Sequence, residues 1–327
     1  MQGVAFMGGE YVPLAEARIS VMTHAFNYGT GTFEGLRGYW NAAEEQIYLF
    51  RMREHFARLH NSARVLTIAL PYTVDELSAI CLEILRRSGF REDVYVRPIA
   101  YKSGLGIGVS MTGVPDSFVM YCQPMGNYIA IDHGIRCCVS SWRRPSDNAI
   151  PPRAKVTGSY INSALAKHEA LLNGYDEAVM LTEAGHVCEG SAMNIFLVKN
   201  RQLITPPVSD GVLEGITRAT LMEIAQAELG VPSVERTIQR TELYTADEVF
   251  LCGTGAQVSP VVEIDRRPVG SGNVGPLTLA LQRAYFDVVR GVNRAFAAWL
   301  QPVYERPPAP DTLEPSLSPA DAGGLAP

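Results

Sequence analysis

Lysine is scarce in this chain, with four (Lys102, Lys155, Lys167 and Lys199) against 24 arginines in 327 residues. Wherever a plain positive charge would serve, arginine stands. A lysine amine can lose its proton and attack a carbonyl, whereas a guanidinium stays charged, so each retained lysine is a candidate for amine chemistry. Other scarcities narrow the field. The six cysteines include no C-x-x-C pair, and the neighbours Cys137 and Cys138 are poorly spaced for a disulfide; all six read as buried small hydrophobes. The six histidines form no H-x-x-x-H or H-E-x-x-H pattern, so metal catalysis lacks its usual starting point and no metal is expected. No apolar run nears the ~18 residues that span a bilayer, and the opening "MQGVAFMGGEYV" has no basic start followed by an apolar block. A cytoplasmic location, with no membrane contact, is expected. The formal net charge of −6 argues against a protein that coats nucleic acid.

What is present suits a compact protein of two domains, with 47% hydrophobic and 19% charged residues. "FRMREHFARLHNSARVL" sets Phe56, Leu59, Ala63 and Leu66 at helical spacing. "TVDELSAICLEILRRSG" opens on the capping-box pair Thr73 and Glu76 and stops at Gly89. "EQIYLF", "DVYVRPIAY" and "SFVMYCQP" read as strands. After about residue 137 come a strand, "IRCCVSSW", and a helix ending at Gly174. "EAVMLTEAGHVCEGSAMNIFLVKNRQLITP" predicts three short strands. Two more helices follow, "TRATLMEIAQAELG" and one long helix over "GPLTLALQRAYFDVVRGVNRAFAAWL". Hairpin spacings favour an α+β fold over a doubly wound sheet. The expected division is a smaller domain at 1–125, a linker at 126–136, a larger domain at 137–302 and a disordered Pro- and Ala-rich tail at 303–327.

Among the lysines, Lys167 in "ALAKHEALL" is expected in solvent and Lys199 in "VKNRQ" on a surface turn. Lys102 borders a glycine-rich loop and stays open as a candidate. Lys155, in "PPRAKVTG", follows two prolines that fix the backbone, an arrangement suited to holding an amine in a cleft. A Schiff-base lysine needs a carbonyl, and pyridoxal phosphate is the commonest cofactor that offers one. That cofactor calls for an anion site and an acid near its ring nitrogen. "LEGITRAT" supplies Gly215 and Thr217 where a helix begins, a ready phosphate site; alone, Thr217 reads equally as an N-cap. "VCEGSAMNIF" supplies Glu189, which by itself reads as a turn residue.

Taken as a set, "HAFNYGTGTFEGLRGY", "REHFARLHNSA", "VYVRP", "GIGV", "SSWRRPSDNAIPPRAKVTGSYINS", "NGYDEAVML", "EGSAMNIF", "LEGITR" and "YTADEVFLCGTGAQVSPV" resemble the branched-chain aminotransferases of the fold-type IV pyridoxal-phosphate class, in order and in spacing. The resemblance runs from about residue 8 to residue 290. It implies a two-domain α+β fold of the D-amino-acid aminotransferase type, with the cofactor at the domain interface. It implies Lys155 as the Schiff-base lysine and Glu189 as the carboxylate on the pyridine nitrogen. Arg58, Gly215, Ile216, Thr217 and Thr254 would surround the phosphate, Tyr160 would stand near the ring hydroxyl, and Leu213 would pack on the ring. Thr254, Gly255 and Tyr95 would take the substrate α-carboxylate. Tyr28, Phe33, Gly35, Met125 and Tyr128 would line the side-chain pocket, and Arg97 would meet the second carboxylate of glutamate. Val109 would reach in from a neighbouring subunit, which implies a homodimer or larger homo-oligomer.

The expected activity is ping-pong transfer of an amino group between leucine, isoleucine or valine and 2-oxoglutarate. Burial and nearby positive charge would help free the lysine amine to move a proton. (R)-Amine or D-amino-acid transamination on the same fold is the alternative. Met125, where relatives often carry an aromatic residue, and Gly255, where some carry alanine, would widen the pocket; Gln257 replaces a glutamate seen in some relatives. The glycines of "YGTGTFEG" and "GLGIGV" do not form the G-x-G-x-x-G nucleotide fingerprint. A member of the family that binds the cofactor without turnover would need some defect that these residues do not reveal.

Overall fold

The computed structural model describes residues 3–127 and 133–305. Tyr128, part of the expected linker and residues 306–327 of the expected tail lie outside the described residues. The first sheet grows around one long antiparallel pair, Val94–Lys102 with Asp116–Pro124, in register from Val94↔Pro124 to Lys102↔Asp116. Their side chains alternate, so Val94, Val96, Phe118, Met120 and Cys122 enter the core together. The sheet's order is Leu300–Pro302, Gln46–Phe50, Leu36–Asn41, Val94–Lys102, Asp116–Pro124, Val4–Met7 and Glu10–Pro13, with Gly31–Phe33 also on Val94–Lys102. Helices Met52–Val65 and Val74–Ser88 bury Phe56, Leu59, Leu77, Ile84 and Leu85 against it.

The expected capping box is formed. Thr73 accepts from the Glu76 amide while the Glu76 carboxylate accepts from the Thr73 amide, and Gly89 ends the helix at φ 65°. Such a cap contributes about 1 kcal/mol.

The second sheet runs Val187–Gly190, Glu177–Leu181, Ile135–Arg143, Gln257–Ile264, Glu248–Gly253, Asn194–Lys199, Gln202–Thr205 and Ser233–Glu235, with Arg267–Pro268 on Gln257–Ile264. Ile135–Arg143 lies parallel to both its neighbours, while the other pairings around it are mainly antiparallel. Helices Tyr160–Leu172, Ile216–Leu229 and Pro276–Val289 accompany this sheet. Mixed sheets with helices between strands make the fold α+β, as the hairpin spacings suggested. Among the described residues no helix is long and apolar enough to cross a membrane.

Four expectations need correction. The segment 177–205 holds four strands rather than three, because Val187–Gly190 and Asn194–Lys199 are separate, joined by the turn at Ser191–Met193. The long final helix stops after Val289. Gly291 takes φ 74°, Val292 and Asn293 both donate to the Asp287 carbonyl, and a 3₁₀ turn Arg294–Trp299 follows. The apolar pattern continued across the break because Trp299 packs on Phe50 of the first sheet; periodicity reports burial, not continuity. The larger domain was also expected to keep the chain to residue 302, yet Leu300–Pro302 pairs with Gln46–Phe50. Val303, expected in a disordered tail, is fully buried in the first core. The two halves are thus tied at the C-terminal end, and Tyr39 of one meets Tyr285 of the other, hydroxyl to hydroxyl at 2.9 Å.

Candidate active site

Three of the four lysines are spoken for. Lys102 is buried and pairs with Asp116 at 2.9 Å while donating to the Thr67 carbonyl. Lys199 pairs with Asp247 on the surface. Lys167, expected in solvent, is half-buried and neutralises the buried Glu177 at 2.9 Å. Lys155 alone points its amine into a cavity of about 700 Å³. Its backbone is held from both sides, since the Lys155 amide donates to Ser62 Oγ and its carbonyl accepts from the Phe33 amide. The amine donates to the Tyr160 hydroxyl at 2.7 Å and lies 5.1 Å from the Phe33 ring centre. No carboxylate among the described residues pairs with it.

One end of the cavity is built for an anion. Helix Ile216–Leu229 begins there with Gly215 as its N-cap and no side-chain cap, so the first-turn amides stay available. Thr217 is therefore not the cap; it sits inside the first turn and is buried. Gly215 is required by close approach, because a Cβ there would overlap the Asn194 side-chain oxygen. Arg58 stands beside this turn, donating to the Glu214 carbonyl at 2.6 Å. Its guanidinium is also bidentate to Glu34, at 2.7 and 2.8 Å, and Glu34 in turn meets His55 Nδ1 at 2.8 Å. Burial alone would raise the Glu34 carboxyl, but Arg58 and His55 hold it well below the usual carboxylate range. Burial also lowers His55, against the pull of Glu34.

Glu189 occupies another wall. A bulge falls between Val187 and Glu189, an irregularity that re-aims a side chain. The carboxylate pairs with Arg144 at 2.8 Å and accepts from Asn194 Nδ2 at 3.0 Å and the Leu213 amide at 3.2 Å. Asn194 also donates to the Leu213 carbonyl at 3.0 Å, fixing the segment that enters the helix. Burial pushes the Glu189 carboxyl up despite Arg144.

The remaining wall combines apolar faces with a cation. Arg97 donates to the Tyr95 hydroxyl at 2.8 Å and lies over the Phe33 ring at 4.4 Å. Gly35 is packed against Tyr95 so closely that a Cβ there would overlap its hydroxyl. Met125, Thr254 and Gly255 complete this side, and the turn that carries Thr254 and Gly255 ends on Gln257, which holds the left-handed φ of 58°.

Of the residues singled out in the sequence, the cavity gathers Lys155, Arg58, Tyr160, Glu189, Leu213, Gly215, Ile216, Thr217, Thr254, Phe33, Gly35, Tyr95, Arg97, Met125 and Gly255. Two do not line it: Val109 is 79% exposed on its loop, and the Tyr28 hydroxyl accepts from the Gly108 amide of that loop. Sequence reading missed Glu34, His55, Arg144 and Asn194. All four lie inside segments already quoted, but isolated polar residues give no local signal of which charge they neutralise.

Comparison with known proteins agrees with this geometry. Residues 31–264 match the family described as amino-transferase class IV. A probable branched-chain-amino-acid aminotransferase of Aquifex aeolicus is 51% identical over 92% of this chain and 97% of its own. A branched-chain aminotransferase of Thermoproteus uzoniensis, solved with norvaline, is 43% identical with a TM-score of 0.88, covering 92% of this chain and 99% of that one. A branched-chain amino acid aminotransferase of Thermobaculum terrenum, solved in its PLP form, is 36% identical with a TM-score of 0.89, over 93% of this chain and 100% of that one. The chain belongs to the class IV aminotransferases and, within them, to the branched-chain-amino-acid aminotransferase family.

Proposed function

We propose that the protein exchanges amino groups between leucine, isoleucine or valine and 2-oxoglutarate, with pyridoxal 5′-phosphate held around Lys155. The observation that carries this is one cavity in which an unpaired amine stands among a cationic helix N-terminus, a buried carboxylate and a cationic, partly apolar wall. These groups fit the cofactor's chemistry. Arg58 and the amides of Ile216 and Thr217 would hold its phosphate, Glu189 its ring nitrogen and Tyr160 its ring hydroxyl, with Leu213 against the ring. The cofactor supplies an aldehyde for the substrate amine and an electron-withdrawing ring. Because both sheets contribute walls, the cofactor would sit between the two halves of the fold.

The protein's own groups divide the remaining tasks. Lys155 Nζ would take the proton from the substrate Cα, and its 2.7 Å contact with Tyr160 holds it in place. Arg144 and two N–H donors, from Asn194 and the Leu213 amide, favour the ionised form of Glu189, and that negative charge would keep a proton on the ring nitrogen. The Thr254 and Gly255 amides and the Tyr95 hydroxyl would orient the α-carboxylate. Phe33, Gly35 and Met125 would receive an aliphatic side chain, and Arg97 the second carboxylate of glutamate. One pocket would thus serve both halves of a ping-pong cycle.

A homodimer fits the surface. Ile19, Val21, Met22, Leu105, Ile107 and Val109 on two adjoining loops, with Phe26 on the short helix His24–Tyr28, are exposed apolar residues; the segments are linked by hydrogen bonds from His24 to Gly104 and from Gly106 to Met22. Monomers rarely leave such a patch uncovered, and a second copy would bring Val109 and Tyr28 toward the pocket. Six buried free thiols are compatible with the cytoplasm.

The test is a donor panel with the cofactor-loaded protein. L-Leucine, L-isoleucine and L-valine should bleach the cofactor's visible band and 2-oxoglutarate restore it. The similarity to branched-chain enzymes weighs against the D-amino-acid alternative; a preference for D-alanine or (R)-1-phenylethylamine would reverse the assignment.

A further inference from the structure

The four arginines around the cavity are not equally neutralised. Arg58 faces Glu34 and Arg144 faces Glu189, each at hydrogen-bonding distance, so the cofactor end of the site carries two closed ion pairs. At the substrate end, no carboxylate among the described residues lies within ion-pairing reach of Arg97, which contacts the Tyr95 hydroxyl and aromatic faces. Arg37 is less expected. It is 2% exposed, lies directly behind the wall, and donates to the carbonyls of Met125 (3.2 Å), Gly126 (3.0 Å) and Gly255 (3.5 Å), all of which line the cavity. Its Nε meets no acceptor among the described residues.

The nearest carboxylate, Asp93, is 3.8 Å from Arg37 and already bidentate to Arg290 at 3.0 and 3.2 Å. Two guanidinium groups share one negative charge. The side chain placed squarely on Arg37 is Gln257, and the amide orientation that satisfies both residues sets its oxygen 2.8 and 2.9 Å from the two terminal nitrogens. Gln257 is 1% exposed and held at a left-handed φ, so the backbone puts a neutral acceptor where a carboxylate of the same length would close the pair.

We infer that Arg37 and Gln257 form a specificity device. The buried guanidinium, only partly neutralised by an Asp93 that is 3.8 Å away and shared with Arg290, stands one peptide layer behind the turn of Thr254 and Gly255, and its field strengthens that turn's hold on a substrate carboxylate. Both are positioning residues, since neither lines the cavity. The inference deepens the proposed reaction and rests on its placing of the α-carboxylate at this turn. A charge at this depth acts through a low-dielectric wall, where it is felt over several ångströms.

The test measures binding of 4-methylvalerate and of its uncharged amide, 4-methylvaleramide, to the cofactor-loaded protein by calorimetry. Gln257→Glu, which supplies the missing charge without changing length, should weaken the carboxylate about tenfold and the amide by less than about twofold. Gln257→Met, which removes the acceptor and adds no charge, should preserve the preference for the carboxylate. Arg37→Gln should reproduce the selective loss by removing the cation itself, and it keeps the test open should Gln257→Glu fold poorly. Equal weakening of acid and amide in Gln257→Glu would mean a distorted turn and overturn the inference, as would no weakening at all. A wild-type protein that does not prefer the carboxylate would instead overturn the placing of the substrate, and the inference with it.

Discussion

Gly35→Ala probes the substrate wall with one methyl group. The added Cβ would lie 2.7 Å from Tyr95 Cζ and overlap its hydroxyl, whereas ordinary contact begins near 3.4 Å. The ring must therefore retreat by at least about 0.7 Å, a displacement of the size that degrades a positioned reaction. Retreat breaks the 2.8 Å bond from Arg97 to the Tyr95 hydroxyl. A hydrogen bond to a charged group is worth about 1.5–3 kcal/mol, or about 10- to 100-fold in rate. The two half-reactions separate the consequences. With leucine only the Tyr95 contact to the α-carboxylate is lost, so kcat/KM should fall about tenfold. With glutamate Arg97 is disturbed as well, and the fall should approach about 100-fold. Single-turnover spectra of the cofactor-loaded variant read both, and an unchanged visible band before substrate addition would show that the cofactor end is intact. Activity within about twofold of wild type for both substrates would refute the placing of Tyr95 and Arg97.

Lys155→Ala should lower turnover by at least about 10³-fold with the protein still folded, read by steady-state rate and by loss of the covalent cofactor band. Glu34→Gln removes one partner of a buried pair and should cost about 3–5 kcal/mol in urea unfolding, with weaker cofactor binding through a misplaced Arg58. Because the folded carboxyl of Glu34 is held low, its stabilisation is present above the unfolded value of about 4.3 and is lost as pH falls below it. Between pH 6 and pH 3 the wild type should therefore lose more stability than Glu34→Gln, and parallel curves would contradict the pairing. Gly215→Ala should displace Asn194 from Leu213 and Glu189, raising the cofactor dissociation constant while leaving far-ultraviolet circular dichroism unchanged.

Much of this protein is written locally. The helix Val74–Ser88 begins at a capping box and ends at a left-handed glycine, so its limits need no knowledge of the rest of the chain. Lys155 stood out because two prolines and a glycine leave its backbone few conformations, and among the described residues it is the one lysine without a carboxylate partner. The tertiary structure decided what those local rules do not carry. Glu34 finds Arg58 across 24 positions, Arg37 finds Gly255 across 218, and Leu300–Pro302 returns to a sheet begun near the other end. Turn chemistry and periodicity act over a few residues, while charge neutralisation and close packing depend on which distant segments share a volume. An isolated arginine, in a helix like Arg58 or a strand like Arg37, reads the same whatever its partner, and only the folded chain shows Arg58 closed on Glu34 at 2.7 Å and Arg37 left with a shared Asp93 at 3.8 Å.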